Sequence, residues 1–203
     1  GFGTTETGPV SFSAHPDDLP TPPTSLGALM EGVEAKLVDG PSPDEGILHI
    51  RNPMTLKGYW KRPDDTAQRI DADGWYITGD RMRRDENGFY YFVGRADDMM
   101  QVGAENVFPA SVERVIEQHE GVLEAAVIAV PHAVKNEAPV AFVIKSDPGL
   151  TDDALKAFTI ENGPAYAHPR RIFFVEALPL AAPNKIDRKA LKEEAIARIG
   201  GSL

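Results

Sequence analysis

The stretch Gly74–Asn106, GWYITGDRMRRDENGFYYFVGRADDMMQVGAEN, constrains this chain more than any other. Tyr76–Thr78 is a short aromatic and β-branched run closed by Gly79-Asp80. Phe89–Val93 is a second β-rich run, and Asp85-Glu86-Asn87-Gly88 before it is a strong turn signal. The pair predicts a hairpin whose ends deliver Asp80, on a glycine-loosened loop, and the charged cluster Gly94-Arg95-Ala96-Asp97-Asp98. A carboxylate and a guanidinium reaching into one space suit a hydroxylated, phosphorylated ligand. The carboxylate accepts from a sugar diol and the guanidinium donates to hydroxyls or phosphate. Taken singly, Thr-Gly-Asp marks a turn and Arg95 with Asp97 a surface ion pair of little worth. Order and spacing across the whole stretch carry the weight.

The remaining segments arrange themselves around that hairpin. Gly1–Gly8 packs glycines, hydroxyls and one carboxylate into a short loop suited to close approach by a sugar-phosphate. It is no dinucleotide fingerprint, because the third glycine is missing and position 6 is acidic. Pro9–Gly27 reads as an irregular surface loop, and Val33–Asp39 with Gly46–Arg51 as a second hairpin. Leu56–Trp60 and Asp65–Ala67 read as turn and packing residues. A domain boundary falls at Ala96 or Asp97. Beyond it come a short strand, Met99–Val102, a loop, Gly103–Asn106, and a helix opened by Pro109 with Val112, Val115, Ile116 and His119 on one face. Val122–Val130 and Ala138–Lys145 read as strands joined by the turn His132–Glu137. Thr151 is placed to cap a helix over Asp152–Ile160, Ile172–Val175 is a further strand, and a last helix runs from about Asp187 to Ile199. The expected fold class is α+β: a small β-rich subdomain over residues 1–96, then a domain over 97–203 with a small sheet flanked by helices.

With 203 residues, 42% hydrophobic and 26% charged, the chain can bury one or two cores. A net charge of −10 argues against a generic nucleic-acid binder. The absence of cysteine excludes disulfides, thiolate metal sites and cysteine nucleophiles, and fits a reducing cytoplasm. The five histidines lack zinc-like spacing, no run has the length of a membrane span, and no signal peptide is evident. The chain opens on a motif-like stretch without a methionine, which leads to the expectation that it is the later part of a longer enzyme.

Gly74-Trp75-Tyr76-x-Thr78-Gly79-Asp80, then Gly94-Arg95-x-Asp97-Asp98, then Gly103-x-Glu105-Asn106-Val107-Phe108-Pro109, then Asn184-Lys185-Ile186-x-Arg188 resemble, in order, the motifs of the adenylate-forming superfamily, of the acyl-CoA synthetase and aryl-CoA ligase type. The resemblance implies roles residue by residue. Phe2 would stack on adenine, Thr5 contact the α-phosphate and Glu6 hold Mg²⁺. Asp80 and Arg95 would bind the ribose hydroxyls. Asp97 would be the hinge, and Lys185 the catalytic cation stabilising charge as a carboxylate attacks ATP. Gly103 and Ala104 would border a thiol channel, and Tyr166, Arg170 and Arg171 would meet the nucleotide end of coenzyme A. The implied partners are ATP, Mg²⁺, coenzyme A, a small carboxylic acid and the upstream part of the same enzyme. The superfamily's Ser/Thr/Gly-rich phosphate loop is nowhere in these residues, so this piece is not expected to catalyse adenylation unaided. Ala104, Asn136 and Asn184 each stand where relatives commonly carry glycine. The alternatives are an adenylation domain that loads a carrier protein and a non-catalytic nucleotide-binding or interaction module.

Overall fold

In the computed structural model, which describes residues 2–183 and 185–203, the chain divides into two compact units, Gly1–Asp97 and Asp98–Leu203. The first unit is a six-stranded antiparallel sheet. In chain order its elements are β1 (Phe12–Ser13), β2 (Gly27–Leu29), β3 (Glu34–Ser42), β4 (Glu45–Arg51), α1 (Pro63–Arg69), β5 (Tyr76–Arg84) and β6 (Phe89–Arg95). The strands are ordered β1-β2-β6-β5-β4-β3. β4 shows the alternation of a half-buried strand, and its inward residues Leu48 and Ile50 join Phe12, Met82 and Tyr90 in one apolar cluster.

The first unit departs from expectation at three places. β5 does not stop at Thr78: it runs through Gly79 and Asp80 to Arg84, so Asp80 sits within a strand, opposite Arg95. The strand is irregular there: Gly79 takes a φ of +76°, the pairing with β4 skips from Arg81 to Ile77, and a second shift in the pairing with β6 falls at Arg81/Met82, yet pairing resumes on either side and the strand continues. The expected loop Pro9–Gly27 contains β1, because burial of Phe12 draws Phe12–Ser13 into register with Ala28–Leu29. Asp65–Ala67 belongs to the helix α1, opened by Pro63 with Asp64 and Asp65 in its first turn.

The second unit continues with β7 (Met100–Val102), β8 (Glu105–Val107), α2 (Pro109–Ile116), β9 (Val122–His132), β10 (Asn136–Lys145), α3 (Asp152–Asn162), β11 (Arg171–Phe174), β12 (Leu180–Ala182), β13 (Lys185–Ile186) and α4 (Arg188–Ile199). β10 is the central strand. It pairs antiparallel with β9 along one edge, parallel with β11 on the other, and through Asn136 with Val102 of β7. Alternation along β9 and β10 feeds two cores. Val127, Ala141 and Val143 face a cluster with Val112, Ile116 and Leu155; Ile128, Val140 and Phe142 face Leu191 and Ala195 of α4.

Thr151 caps α3 as expected, accepting from the Ala154 amide at 3.2 Å. Gly103–Asn106 is not a loop. Gly103 and Ala104 alone make a two-residue turn, Val102 pairs with Glu105, and Gly103 takes the positive φ of +67° that so tight a reversal needs. Asn136, at φ +68°, occupies a left-handed position that asparagine tolerates better than most residues. Asn184 lies outside the described residues. Among those described, no helix is long and apolar enough to cross a membrane. The architecture is α+β.

Candidate functional site

The first unit gathers its polar residues at β5 and β6. Thr78 is buried; its hydroxyl donates to the Leu48 carbonyl at 2.8 Å and accepts from the Asp80 amide at 2.9 Å, tying the Asp80 backbone to β4. The Asp80 residue is 7% exposed. Arg95 Nη1 donates to Asp80 Oδ1 and to the Thr78 carbonyl, each at 3.0 Å. Its Nε and Nη2 grip both oxygens of Asp97, again at 3.0 Å. Burial pushes the Asp80 carboxyl above its ordinary value, against the pull of Arg95. The bidentate hydrogen bonds from Arg95 hold Asp97 below its ordinary value. Asp80, Arg95 and Asp97 are therefore one connected group.

A second group adjoins it. The turn carrying Glu6 is fixed by Thr4 N–H to the Gly8 carbonyl at 3.1 Å and by Leu56 N–H to the Glu6 carbonyl at 2.8 Å. Tyr59 Oη donates to Glu6 Oε1 at 3.0 Å, and Tyr59 shares a side-chain hydrogen bond with the buried Tyr76. Burial, first, raises the Tyr76 phenol well above its ordinary value, so it stays a neutral hydrogen-bonding group. Thr5 is exposed on the same turn. Phe2 lies edge-on to Phe12 at 5.8 Å, at the margin of the apolar cluster. Arg69, at the end of α1, places its charge near Tyr76, Asp80 and Asp97. Tyr59 and Arg69 are not marked as site residues by the sequence. Leu56–Trp60 reads as turn and packing residues, and Arg69 closes a helix, Pro63–Arg69, of which the sequence reading covers only Asp65–Ala67, as turn and packing residues.

In the second unit Lys185 is exposed on the β12–β13 hairpin. The segment after it is firmly held. The Asp187 amide donates to the Pro179 carbonyl at 2.8 Å, and the Asp187 side chain caps α4. Arg188 donates to both carboxylate oxygens of Glu113, at 2.8 and 3.1 Å, and to the Val127 carbonyl at 2.7 Å, and lies 3.8 Å from Asp98. Glu113 in turn accepts from the Val127 amide at 2.7 Å. No local pattern announces this network, since its members are far apart along the chain.

At the far end of the sheet the Gly103 amide donates to the Lys135 carbonyl at 2.8 Å. Arg170 packs against the ring of His168, which also feels the charges of Lys135 and Lys156. Tyr166 and Arg171 are exposed, and Lys156 is paired with Asp152 at 2.9 Å. Among the described residues no three His, Asp or Glu side chains converge as a metal cage.

Residues 111–185 match the family model of the AMP-binding enzyme C-terminal domain. The chain is 41% identical to a long-chain-fatty-acid–CoA ligase of Salmonella typhimurium over 98% of its own length and 36% of the relative's. It is 37% identical to a 2-succinylbenzoate–CoA ligase of Geobacillus kaustophilus over 94% of its length and 40% of that protein. Among solved structures, the anthranilate CoA ligase AuaEII in complex with anthranoyl-AMP aligns over 98% of this chain and 40% of its own, with a TM-score of 0.84 and 33% identity. The chain thus spans little more than a third of the curated relatives it matches.

Proposed function

The chain belongs to the adenylate-forming superfamily, corresponding to the C-terminal portion of its acyl-CoA and aryl-CoA ligases, and from that premise we propose that it is the later part of an ATP-dependent acyl-CoA ligase. In this proposal a carboxylate attacks the α-phosphate of ATP, pyrophosphate leaves, and the thiol of coenzyme A then attacks the acyl-adenylate and releases AMP. The whole protein includes an upstream part that supplies the phosphate loop and most of the acyl pocket.

The observation that most supports the proposal is the Asp80–Arg95 pair. The carboxylate is buried and gripped by its arginine, and held this way it is a fixed acceptor for the two hydroxyls of a ribose. Residues 1–96 are accordingly the β-rich end of a nucleotide-binding domain, and residues 97–203 a mobile domain that swings about Asp97. Lys185, exposed on its hairpin, enters for the first half-reaction and withdraws for the second. Gly103 and Ala104 then face the thiol, and Arg170, with Tyr166 and Arg171, meets the nucleotide end of coenzyme A.

Glu6 fits a Mg²⁺ site. Tyr59 orients one of its carboxylate oxygens, and one protein carboxylate is enough for a cation that otherwise takes phosphate and water oxygens. Bound there, the ion neutralises phosphate charge.

Lys185→Ala in the full-length enzyme tests the proposal. Pyrophosphate exchange falls roughly 10²- to 10³-fold, the loss typical of one transition-state donor, while thioester formation from preformed acyl-adenylate stays within a few-fold. Equal loss in both steps removes Lys185 from the role. Coenzyme A against carrier protein as acceptor separates the ligase from a carrier-loading domain.

A further inference from the structure

Arg95 has little left to offer a ligand. Of the five N–H donors on a guanidinium, four are committed: two from Nη1 to Thr78 and Asp80, and one each from Nε and Nη2 to Asp97. The remaining N–H is on Nη2, and that atom faces another cation across Gly79. A Cβ added to Gly79 would lie 3.0 Å from Arg95 Nη2 and 3.1 Å from Arg69 Nη1. The two guanidinium groups therefore come within about 6 Å of each other over a single residue without a side chain. Arg69 is half-buried, and among the described residues no ion pair or hydrogen bond engages its guanidinium. Its charge reaches Asp80 and Asp97 only through space.

Asp80 and Asp97 offset the charge of this pair, but all the donors of Arg69 and the last N–H of Arg95 stay free over Gly79, and an anion is the acceptor that suits them. The fork of a guanidinium matches the oxygens of a phosphate. We propose that Arg69 receives the phosphate of a bound adenine nucleotide across Gly79, and that Arg95 is a brace holding Asp80 in place. The proposal deepens the nucleotide site, resting on the ribose role of Asp80 given above. The donors that meet the phosphate come from the end of α1 and, through its last N–H, from Arg95.

The test is calorimetric binding of AMP and of adenosine to the full-length enzyme and to its Arg69→Gln, Arg69→Lys and Asp80→Ala variants, with folding checked by circular dichroism. Arg69→Gln is expected to weaken AMP about tenfold or more, as for a lost charge-assisted hydrogen bond, and to leave adenosine within twofold. Arg69→Lys recovers part of the AMP affinity. Asp80→Ala weakens both ligands. Unchanged AMP affinity in Arg69→Gln, with Asp80→Ala still impaired, overturns the role of Arg69 alone. Equal weakening of AMP and adenosine by Arg69→Gln also overturns it, because the contact is then not to phosphate. No change in any variant overturns the nucleotide site itself.

Discussion

At the residue scale, Gly79 leaves the room between Arg69 and Arg95 that the proposed nucleotide site needs. Its φ of +76° lies where a side chain is strained, and its missing Cβ is what allows Arg69 and Arg95 to approach from either side. Gly79→Ala should cost about 1–3 kcal/mol from backbone strain and displace at least one arginine. Urea denaturation reads the first effect, and weaker nucleotide binding the second. The pKa values of Asp80 and Asp97 are displaced in opposite directions. Asp80 has its folded-state pKa raised, so its ionised form opposes folding above that value, and the penalty is relieved as pH falls through it. Asp97 has its pKa lowered, so its stabilisation is present above the ordinary carboxylate value and is lost as pH falls through the depressed one. Asp80 must be ionised to accept two hydroxyls. Adenosine affinity should therefore decline with acidification first through the raised Asp80 value, at a pH where Asp97 remains charged beside Arg95 and Arg69. In Asp80→Asn that step disappears; a wild-type profile without it would show that Asp80 does not bind the ribose.

At the scale of elements, the segment that presents Lys185 matters most. A two-residue strand is too short to hold a hairpin by itself. Order comes from the next three residues: Ile186 packs with the α4 cluster, Asp187 caps α4, and Arg188 crosses to α2 and β9. Arg188 also reaches Asp98, so one guanidinium connects the start of the second unit to the element bearing the lysine. Arg188→Ala strands Glu113, whose side chain is only 12% exposed. The expected loss is roughly 2–3 kcal/mol, below the ~3–5 kcal/mol of a fully buried pair because the Arg188 side chain is itself 30% exposed. Thermal unfolding measures it, and a change below about 0.5 kcal/mol, a surface-pair value, would show that the network is ornamental.

For the whole molecule, the division into two units after Asp97 is what makes alternation conceivable, because each unit has a core of its own. Asp97→Pro fixes one backbone dihedral at the proposed pivot, but it also carries away the carboxylate that Arg95 grips. Asp97→Ala removes only the carboxylate, so the difference between the two variants isolates the dihedral. In the full-length enzyme, Asp97→Pro should slow thioester formation at least tenfold more than Asp97→Ala does, with adenylation affected alike in both. Parallel behaviour in both half-reactions would place the pivot elsewhere.

Local patterns in the sequence determined the long strands of the second unit, the cap of α3 and the turn between β5 and β6. Alternation marked β4, apolar runs with β-branched residues marked β9 and β10, Thr151 announced α3, and Asp85-Glu86-Asn87-Gly88 marked the reversal between β5 and β6. Even α1 carries a local signature in Pro63-Asp64-Asp65, a proline at the helix start with acidic residues in the first turn. The motif order likewise indicated the family, because each motif is a short run of adjacent residues. Tertiary structure alone decided that Asp80 lies inside a strand, that Tyr59 reaches Glu6, that Arg69 faces Arg95 over Gly79, and that Arg188 finds Glu113. These pairings join residues 15 to 75 positions apart. Neighbours that distant meet only when sheet register and helix packing bring them together, and no periodicity along the chain records which partner a charged side chain will meet.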